Sequence, residues 1–242
     1  MSSLAIVQLA EAAGVAGPLA RTALTRLKQK GILVPERRGR VAGYRLSEGA
    51  VRLLDEGDRR ILQPRTMRLD DPWCVVSFSL PESRRALRSQ LRRRLAQIGF
   101  GPVASALWIG PDFLRDEVRG VLAELDVQSQ AVLFTTPRPI VEGSLADAVA
   151  RWWDLAAIAH AHRAFAETVR PLLADEPDEE EAFRRFVTGV DAWRPLSFLD
   201  PGLPYELLPG NWPGRESAML FHELKWRFAE RAQRYADRVI TG

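Results

Sequence analysis

The sequence contains very little cysteine and histidine. Of its 242 residues one is a cysteine, Cys74, and three are histidines. A single cysteine excludes an internal disulfide bond and is typical of proteins in a reducing compartment. His160 and His162 lie two positions apart on a predicted helix and so point to different faces, which makes them a poor zinc pair. We therefore expect no disulfide bond and no bound metal ion.

Long hydrophobic runs are also missing. No uninterrupted apolar stretch approaches the ~20 residues that a membrane-spanning helix requires, and no basic segment followed by an apolar one opens the chain as a secretory leader. The sequence likewise lacks a phosphate-cradling glycine loop, a nucleophile elbow and a recognisable Ser-His-Asp arrangement. We therefore predict a cytoplasmic protein that is not an enzyme, with no membrane association, no catalytic residues and no cofactor.

Charge is present in quantity but unevenly placed. Residues 1–65 carry 12 Lys and Arg against 6 Asp and Glu, residues 66–145 carry 10 against 9, and residues 146–242 carry 12 against 16. The net charges of these three parts are +6, +1 and −4, which add up to the net +3 of the chain. A basic first part and an acidic last part indicate that only the first part meets a polyanion.

The first 65 residues predict two helices followed by a hairpin. Residues 4–13 repeat apolar positions at helical spacing, and Pro18 suits the first turn of a second helix, "LARTALTRLKQK". Gly31 can end that helix. The runs on either side of the Arg-Gly corner in "ILVPERRGRVAGYRL" predict a β-hairpin, and residues 48–62 predict a third helix. This order is typical of a winged helix-turn-helix.

The second helix has an apolar stripe, for which we expect Ala20, Ala23, Leu24 and Leu27, and an opposite polar face. Short polar side chains and arginines on such a face can reach base edges, and arginines at a hairpin tip can contact phosphates. The alternative is an ordinary solvated face. The residues that we predict to contact DNA are Arg21, Thr22, Thr25, Arg26, Lys28, Arg37, Arg38 and Arg40.

Residues 71–142 predict the order β-α-β-β-α-β of a ferredoxin-like domain, beginning with the strand "WCVVSFSLP". From residue 145 onward the pattern is mostly helical. The run at 145–175 is long enough to contain a kink, and "EPDEEE" predicts a solvated acidic link. The fold class that we expect is α+β, with a winged helix-turn-helix at 1–65, a ferredoxin-like domain at 71–142 and a mostly helical domain at 145–242.

Two further segments have more than one interpretation. On the predicted helix at 82–98, Arg85, Arg88 and Arg92 share one face, which could contact DNA backbone, bind the phosphates of a coenzyme A thioester, or simply be solvated. The proline-rich segment "RPLSFLDPGLPYELLPGNWPG" could be a rigid scaffold, or it could roof a pocket for an aromatic acyl group.

Several stretches resemble the PaaX family of transcriptional repressors of phenylacetate catabolism. "ARTALTRLKQKGIL" and "GRVAGYRL" resemble its recognition helix and wing, and "LRRRLAQIGFGPVASALWIGP" its central helix and hairpin. "WWDLAAIAHAHRAF" and "FLDPGLPYELLPGNWPG" are similar to its C-terminal segments. The sequence departs from the family at Asp191, where a histidine is expected.

The resemblance implies a homodimeric repressor that binds double-stranded operator DNA and is released by a small-molecule effector, such as the acyl-coenzyme A thioester phenylacetyl-coenzyme A. The effector-binding candidates are Arg85, Arg88, Arg92, Trp193, Arg194 and Trp212. The central domain is also similar to small ferredoxin-like nucleases of CRISPR adaptation, so a metal-dependent nucleic-acid-processing enzyme is the alternative function. Ser79 and Leu80 stand where such an enzyme needs a metal-binding aspartate, which argues against it.

Overall fold

The computed structural model describes residues 1–39 and 41–242, with Arg38 and Glu56 described by their backbone alone. The helices are α1 (Ser3–Ala12), α2 (Gly17–Gln29), α3 (Glu48–Leu62), α4 (Arg85–Gln97), α5 (Arg115–Glu124), α6 (Leu145–Trp152), α7 (Leu155–Val169), α8 (Glu179–Trp193), α9 (Leu196–Leu199) and α10 (Gly214–Thr241). The strands are β1 (Leu33–Arg38), β2 (Val41–Leu46), β3 (Trp73–Phe78), β4 (Gly101–Ala104), β5 (Leu107–Pro111) and β6 (Ala131–Thr136). Among the described residues, no helix combines the length and the hydrophobicity needed to cross a membrane.

The chain packs into two compact units. The first unit consists of Met1–Gln63, Ala164–Arg194 and Arg215–Gly242. The second consists of Pro64–Arg163 and Pro195–Gly214. Residues after 145 therefore contribute to both units, and the long proline-rich segment belongs to the second.

Within the first unit, α1, α2 and the antiparallel β1–β2 pair enclose a small core. Val7, Ala20 and Leu24 are buried there, and Leu33 and Tyr44 pack against them. Burying a leucine side chain such as that of Leu24 contributes about 1.5–3 kcal/mol. The predicted helices and hairpin are confirmed at this point, although Ala23, expected in the apolar stripe, is exposed. At 100° per residue, Ala23 lies at the margin of the stripe, between Leu27 and the polar Arg26.

The amino terminus pairs with the outer edge of β2. Ser2 forms an isolated antiparallel bridge with Gly43, and the backbone N–H of Tyr44 donates to the carbonyl oxygen of Met1 at 2.9 Å. A Cβ atom at position 43 would collide with that carbonyl group. Glycine is therefore required at this close approach of two backbones.

The rest of the first unit is a helical packing around aromatic rings. Trp193 of α8 stacks on Phe221 of α10, with ring centroids 4.5 Å apart, and meets Phe165 of α7 edge to face at 5.0 Å. The indole N–H of Trp193 donates to the carbonyl oxygen of Ile61 at 3.0 Å. One buried tryptophan thus joins α7, α8 and α10 to the end of α3.

Acidic residues before and at the start of α8 bind arginines of α8 and α10. The carboxylate of Asp178 caps α8 by accepting the N–H of Glu181 at 2.8 Å. Glu179 binds Arg234 and Arg238 at 3.1 and 2.8 Å. The sequence predicted this acidic segment as a solvated link. In the structure it ends in the capped first turn of α8, and its carboxylates bind arginines of the same unit.

The second unit is built on a four-stranded antiparallel sheet with the order β4-β5-β3-β6. The central strand β3 pairs with β5 from Trp73↔Pro111 to Ser77↔Leu107 and with β6 from Trp73↔Thr136 to Phe78↔Ala131. In chain order the elements are β3, α4, β4, β5, α5 and β6, as the sequence predicted.

Both faces of this sheet are covered. Cys74, Val76 and Phe78 share a core with leucines and valines of α4 and α5. On the other face Trp73 packs in a second core with residues of α6 and of the proline-rich segment. Cys74 has no exposed surface, and burial raises the pKa of its thiol to about 11. The alternation of β3 therefore places apolar side chains on both faces.

The long helical run predicted at 145–175 is interrupted. α6 ends at Trp152, and α7 begins at Leu155, where the carboxylate of Asp154 accepts the N–H of Ala157 at 2.9 Å as a helix cap. At the break, the indole N–H of Trp153 donates to the carbonyl oxygen of Gly99 at 2.9 Å. The interruption is thus fixed by a tertiary contact of Trp153.

Candidate nucleic-acid interface

α2 begins and ends at the residues that favour those positions. Pro18 lies in its first turn, where the missing N–H has no cost, and Gly31 follows its end with φ +70°. Ala20 and Leu24 bury one side of the helix. The anchoring of that side leaves the opposite side of α2 available to a partner.

The predicted DNA contacts of α2 lie on this opposite side. Arg21, Thr22, Thr25, Arg26 and Lys28 are all exposed. The hydroxyl of Thr22 donates to the carbonyl oxygen of Pro18 at 2.9 Å, and that of Thr25 donates to the carbonyl oxygen of Arg21 at 3.1 Å. These bonds fix the orientation of both hydroxyls while the oxygen lone pairs remain able to accept hydrogen bonds.

The cations of α2 form no ion pair with an acidic residue that the structure describes. Within the described part of the chain, the side chains of Arg21, Arg26 and Lys28 make no hydrogen bond or ion pair. Lys30, which directly follows α2 and was not among the predicted contacts, is exposed in the same way. Its position four residues after Arg26 is the sequence signal that could have included it.

The β1–β2 hairpin carries the remaining predicted DNA contacts. Arg37 is exposed and pairs through its backbone with Ala42, and its side chain has no partner among the described residues. Gly39, at the turn, has φ +62°. The side chain of Arg38 and the whole of Arg40 lie outside the described residues, so their part in the interface stays a prediction.

The effector candidates on α4 are already engaged in part. Arg88 donates to the carbonyl oxygen of Leu80 at 2.6 Å and binds Glu82 at 3.0 Å. Arg92 donates to the carbonyl oxygen of Ser105 at 2.5 Å. Arg85 is exposed and has no such contact with a described residue. Of these three arginines, Arg88 and Arg92 are therefore bonded within the second unit, whereas Arg85 has no bond to a described residue.

The other effector candidates are divided between the two units. Trp193 is 4% exposed and its ring and N–H are used within the first unit. Arg194, also in that unit, is exposed and forms an ion pair with Asp191 at 3.3 Å. Trp212 is half-buried in the second unit, edge-on to His162 at 5.8 Å. Trp193 therefore offers little surface to a ligand, whereas Trp212 and Arg194 offer more.

His162 has a role that the sequence did not reveal. It is 2% exposed, and its Nε2 lies 2.8 Å from the carboxylate of Asp200 in the proline-rich segment. Asp200 also accepts the N–H of Gly202 at 2.8 Å, and the carbonyl oxygen of Gly202 accepts the N–H of Met67 at 2.7 Å. These bonds hold the proline-rich segment in the second unit and favour its interpretation as a scaffold.

The position needed for a nuclease metal has no carboxylate. β3 ends at Phe78, and Ser79 and Leu80 follow, with Leu80 buried. Across residues 1–39 and 41–242, no group of three or more His, Cys, Asp or Glu residues is placed to hold a metal ion.

The chain is a mixed α+β protein with a four-stranded sheet covered on both faces. Among the described residues, exposed cations of α2 and β1 have no acidic partner. Three family models match the chain in sequence order: "PaaX-like protein" at 2–50, "PaaX protein central Cas2-like domain" at 66–148 and "PaaX-like protein C-terminal domain" at 153–238. The chain belongs to the PaaX family of transcriptional repressors.

Two relatives are similar over nearly the whole chain. Transcriptional repressor PaaX of Escherichia coli (strain K12) is 29% identical over 236 residues, covering 94% of this chain and 74% of the relative. The solved structure of uncharacterized protein Rv0674 from Mycobacterium tuberculosis has a TM-score of 0.61 and 25% identity, over 95% of this chain and 88% of that chain.

Proposed function

We propose that this protein is a DNA-binding repressor in which α1, α2 and the β1–β2 hairpin form a winged helix-turn-helix. α2 is the recognition helix: Arg21, Thr22, Thr25 and Arg26 read base edges in the major groove. Lys28 and the hairpin arginines Arg37, Arg38 and Arg40 contact phosphates. This assignment is supported by the exposure of the described side chains and by the order helix, helix, hairpin.

The observation that carries the proposal is the lack of partners for Arg21, Arg26, Lys28 and Arg37 among the described residues. Cations that stabilise a fold are paired with acids or bonded to carbonyl oxygens, whereas cations that bind DNA must keep their donors available for phosphates and base edges. The net charge of +6 on residues 1–65 adds long-range attraction to a polyanion.

The test is DNA binding by the full-length protein. Fluorescence anisotropy compares a duplex from the region upstream of its own gene with a duplex of the same composition in scrambled order. Specific repressors prefer their site by about 10³–10⁷-fold at physiological salt. Equal affinity for the two duplexes, or no binding to either at low salt, would falsify the proposal.

In our proposal the second unit is ferredoxin-like, supported by the order of its elements and by the strand order β4-β5-β3-β6. The three functional parts are the DNA-binding residues 1–65, the coupling domain at 71–142 and the helical residues 145–242, which take part in dimerisation and effector binding. The repressor is a cytoplasmic homodimer that acts on a catabolic operon of the phenylacetate type and has no enzymatic activity.

The proposed effector is an acyl-coenzyme A thioester such as phenylacetyl-coenzyme A, which releases the repressor from its operator. Of the six candidates, Arg85 and Arg194 are exposed and Trp212 is half-buried. Arg88 and Arg92 are held in place by hydrogen bonds to backbone carbonyl oxygens. A thermal-shift screen with acyl-coenzyme A thioesters tests this, because a ligand that prefers the folded state raises the melting temperature. A shift with free coenzyme A that equals the shift with every thioester would show that the acyl group is not recognised.

A further inference from the structure

The segment formed by α4 and the 3-10 turn Glu82–Arg84 that precedes it is unusually rich in arginine. It contains Arg84, Arg85, Arg88, Arg92, Arg93 and Arg94, and its only acidic residue is Glu82. Such density of one charge on one helix is unfavourable by itself, since like charges at spacing i,i+4 repel. The structure shows how part of this charge is compensated.

Half of these arginines are used inside the second unit. Arg88 binds Glu82 and the carbonyl oxygen of Leu80, and Arg92 binds the carbonyl oxygen of Ser105. Arg94 forms an ion pair with Glu124 of α5. These three side chains fasten α4 to its surroundings, and their substitution would disturb the fold.

The other half is unengaged. Arg84, Arg85 and Arg93 make no hydrogen bond and no ion pair with any residue that the structure describes. Arg85 and Arg93 are exposed, as is Ser89, which lies between them at successive i,i+4 positions. We call Arg85, Ser89 and Arg93 the outer face of α4.

α4 itself contains no acidic residue, and Glu82, in the turn before it, binds Arg88. The other exposed residues of α4 are Ala86, Gln90, Ala96 and Gln97. By contrast the neighbouring helix α5 mixes signs on its surface, with Arg119 close to Asp116 at 3.9 Å. A surface that serves only for solubility normally mixes signs in this way, so the outer face of α4 is better suited to an anionic partner.

The geometry distinguishes a polyanion from a small ligand. Arg85 and Arg93 are eight residues apart, which separates their Cα atoms by about 12 Å along the helix axis. A coenzyme A thioester is bound in a concave site that buries most of it, whereas the outer face of a helix is convex. A DNA duplex presents phosphates in continuous rows and can meet both arginines at once.

We propose that the outer face of α4 is a second, sequence-independent contact with the DNA backbone. This inference rests on the proposed function, in which α2 and the β1–β2 hairpin bind DNA, and it removes Arg85 from the effector site. The contact adds affinity for every duplex and no discrimination between sequences, because arginine–phosphate pairs do not read bases.

The experiment measures the salt dependence of binding by the full-length protein to a 30-base-pair duplex of arbitrary sequence. The variant is R85A/R93A, and the matched control is R151A/R163A. The control removes two exposed arginines of α6 and α7 that, within the described chain, also have no partner. Both variants lose the same charge, and neither loses a contact of the fold, so their melting temperatures should equal that of the wild type.

For R85A/R93A we expect the slope of log K against log salt concentration to become shallower by about 1.8, that is ~0.9 for each lost phosphate contact. The control should leave the slope unchanged. The preference for the upstream duplex over the arbitrary one should be the same in the wild type and in both variants.

Three results would contradict the inference in different ways. An unchanged slope in R85A/R93A removes the α4 contact and leaves DNA binding by α2 intact. An equal change in both variants shows that net charge and not the outer face matters. Loss of coenzyme A binding in R85A/R93A by calorimetry, with the DNA slope unchanged, assigns the face to the effector. If the wild type binds no duplex at low salt, the proposed function itself fails.

Discussion

Two groups of cations in the first unit differ in how they are bound. Arg21, Arg26 and Arg37, on α2 and β1, have no partner among the described residues. Arg185 of α8 and Arg227 of α10 each have several partners: Arg185, for example, binds Asp175, binds Glu181 at 2.7 Å and donates to the carbonyl oxygen of Leu172 at 2.9 Å. Residue type and charge are the same in the two groups.

The two groups differ in how many of their side-chain hydrogen-bond donors are already bonded within the fold. The side chains of Arg185 and Arg227 are both 14% exposed. Arg185 joins α8, and Arg227 joins α10, to the segment at 172–176. Arg21, Arg26 and Arg37 make no side-chain hydrogen bond with a described residue, so their donors are available to a ligand. Arginine content alone therefore does not distinguish a side chain that holds the fold from one that is available to a ligand, whereas the hydrogen bonds of that side chain do.

The largest expected effect is on stability, from Arg185→Ala. The substitution leaves Asp175, Glu181 and the Leu172 carbonyl group without their shared donor, so the free energy of unfolding should fall by about 1–3 kcal/mol. Urea denaturation measures it. Arg184→Ala is the matched control, because Arg184 is more exposed and pairs only with Glu181; a loss in the control equal to that in Arg185→Ala would contradict the comparison.

The next effect is on specificity, from Arg21→Ala. Stability should change by less than about 0.5 kcal/mol, because the side chain makes no hydrogen bond or ion pair with a described residue. The discrimination between the upstream duplex and single-base variants of it should fall by about 1–3 kcal/mol at one base-pair position. Anisotropy titrations with those duplexes measure it. A uniform loss at all positions would show that Arg21 contacts phosphate and reads no base.

A smaller effect is expected from Arg37→Ala. Affinity for all duplexes should fall alike, and the salt slope should become shallower by about 0.9 because one phosphate contact is lost. Binding isotherms at several salt concentrations provide both values. Arg119→Ala, on the surface of α5, is the control; a change in sequence preference for Arg37→Ala would contradict the backbone assignment.

The smallest effect concerns acid stability. Hydrogen bonds from Arg234 and Arg238 lower the pKa of Glu179 below its ordinary value of 4.5, and a hydrogen bond from Arg185 does the same for Glu181. A lowered carboxyl pKa stabilises the fold above the unfolded pKa, and this stabilisation is lost as pH falls through the folded pKa. Glu179→Gln should therefore be less stable than the wild type at neutral pH and approach it below about pH 4.5. Urea midpoints across this range test it, and a difference that persists undiminished at low pH would contradict it.

Much of the fold follows from local sequence signals. Pro18 and Gly31 mark the two ends of α2, and the Arg-Gly corner at 38–39 marks the turn between β1 and β2. The order of strands and helices in the second unit follows from alternation and helical periodicity. These signals act over a few residues, which is why the sequence displays them.

The contacts that could not be predicted join residues far apart in the chain. His162 and Asp200 are 38 positions apart, and Ser2 and Gly43 pair although α1, α2 and β1 lie between them in the chain. Arg92 could be placed on a helix face, but its bond to the Ser105 carbonyl group depends on how that face meets the β4–β5 turn. The five predicted DNA contacts on α2 are all exposed because one helix carries them with its apolar stripe on the other side. The predicted effector residues are spread over both units.

Cys74 is the only cysteine of the sequence and is buried, so its reaction with a thiol reagent can report unfolding of the wild-type protein. Cys74 lies on the central strand of the sheet without exposed surface, and its pKa of about 11 leaves almost no reactive thiolate near neutral pH. A thiol reagent should therefore modify the protein only when β3 opens to solvent. The rate of labelling measures the opening of the second unit alone, and its change on adding DNA or a ligand reports whether binding at a distance stabilises that sheet.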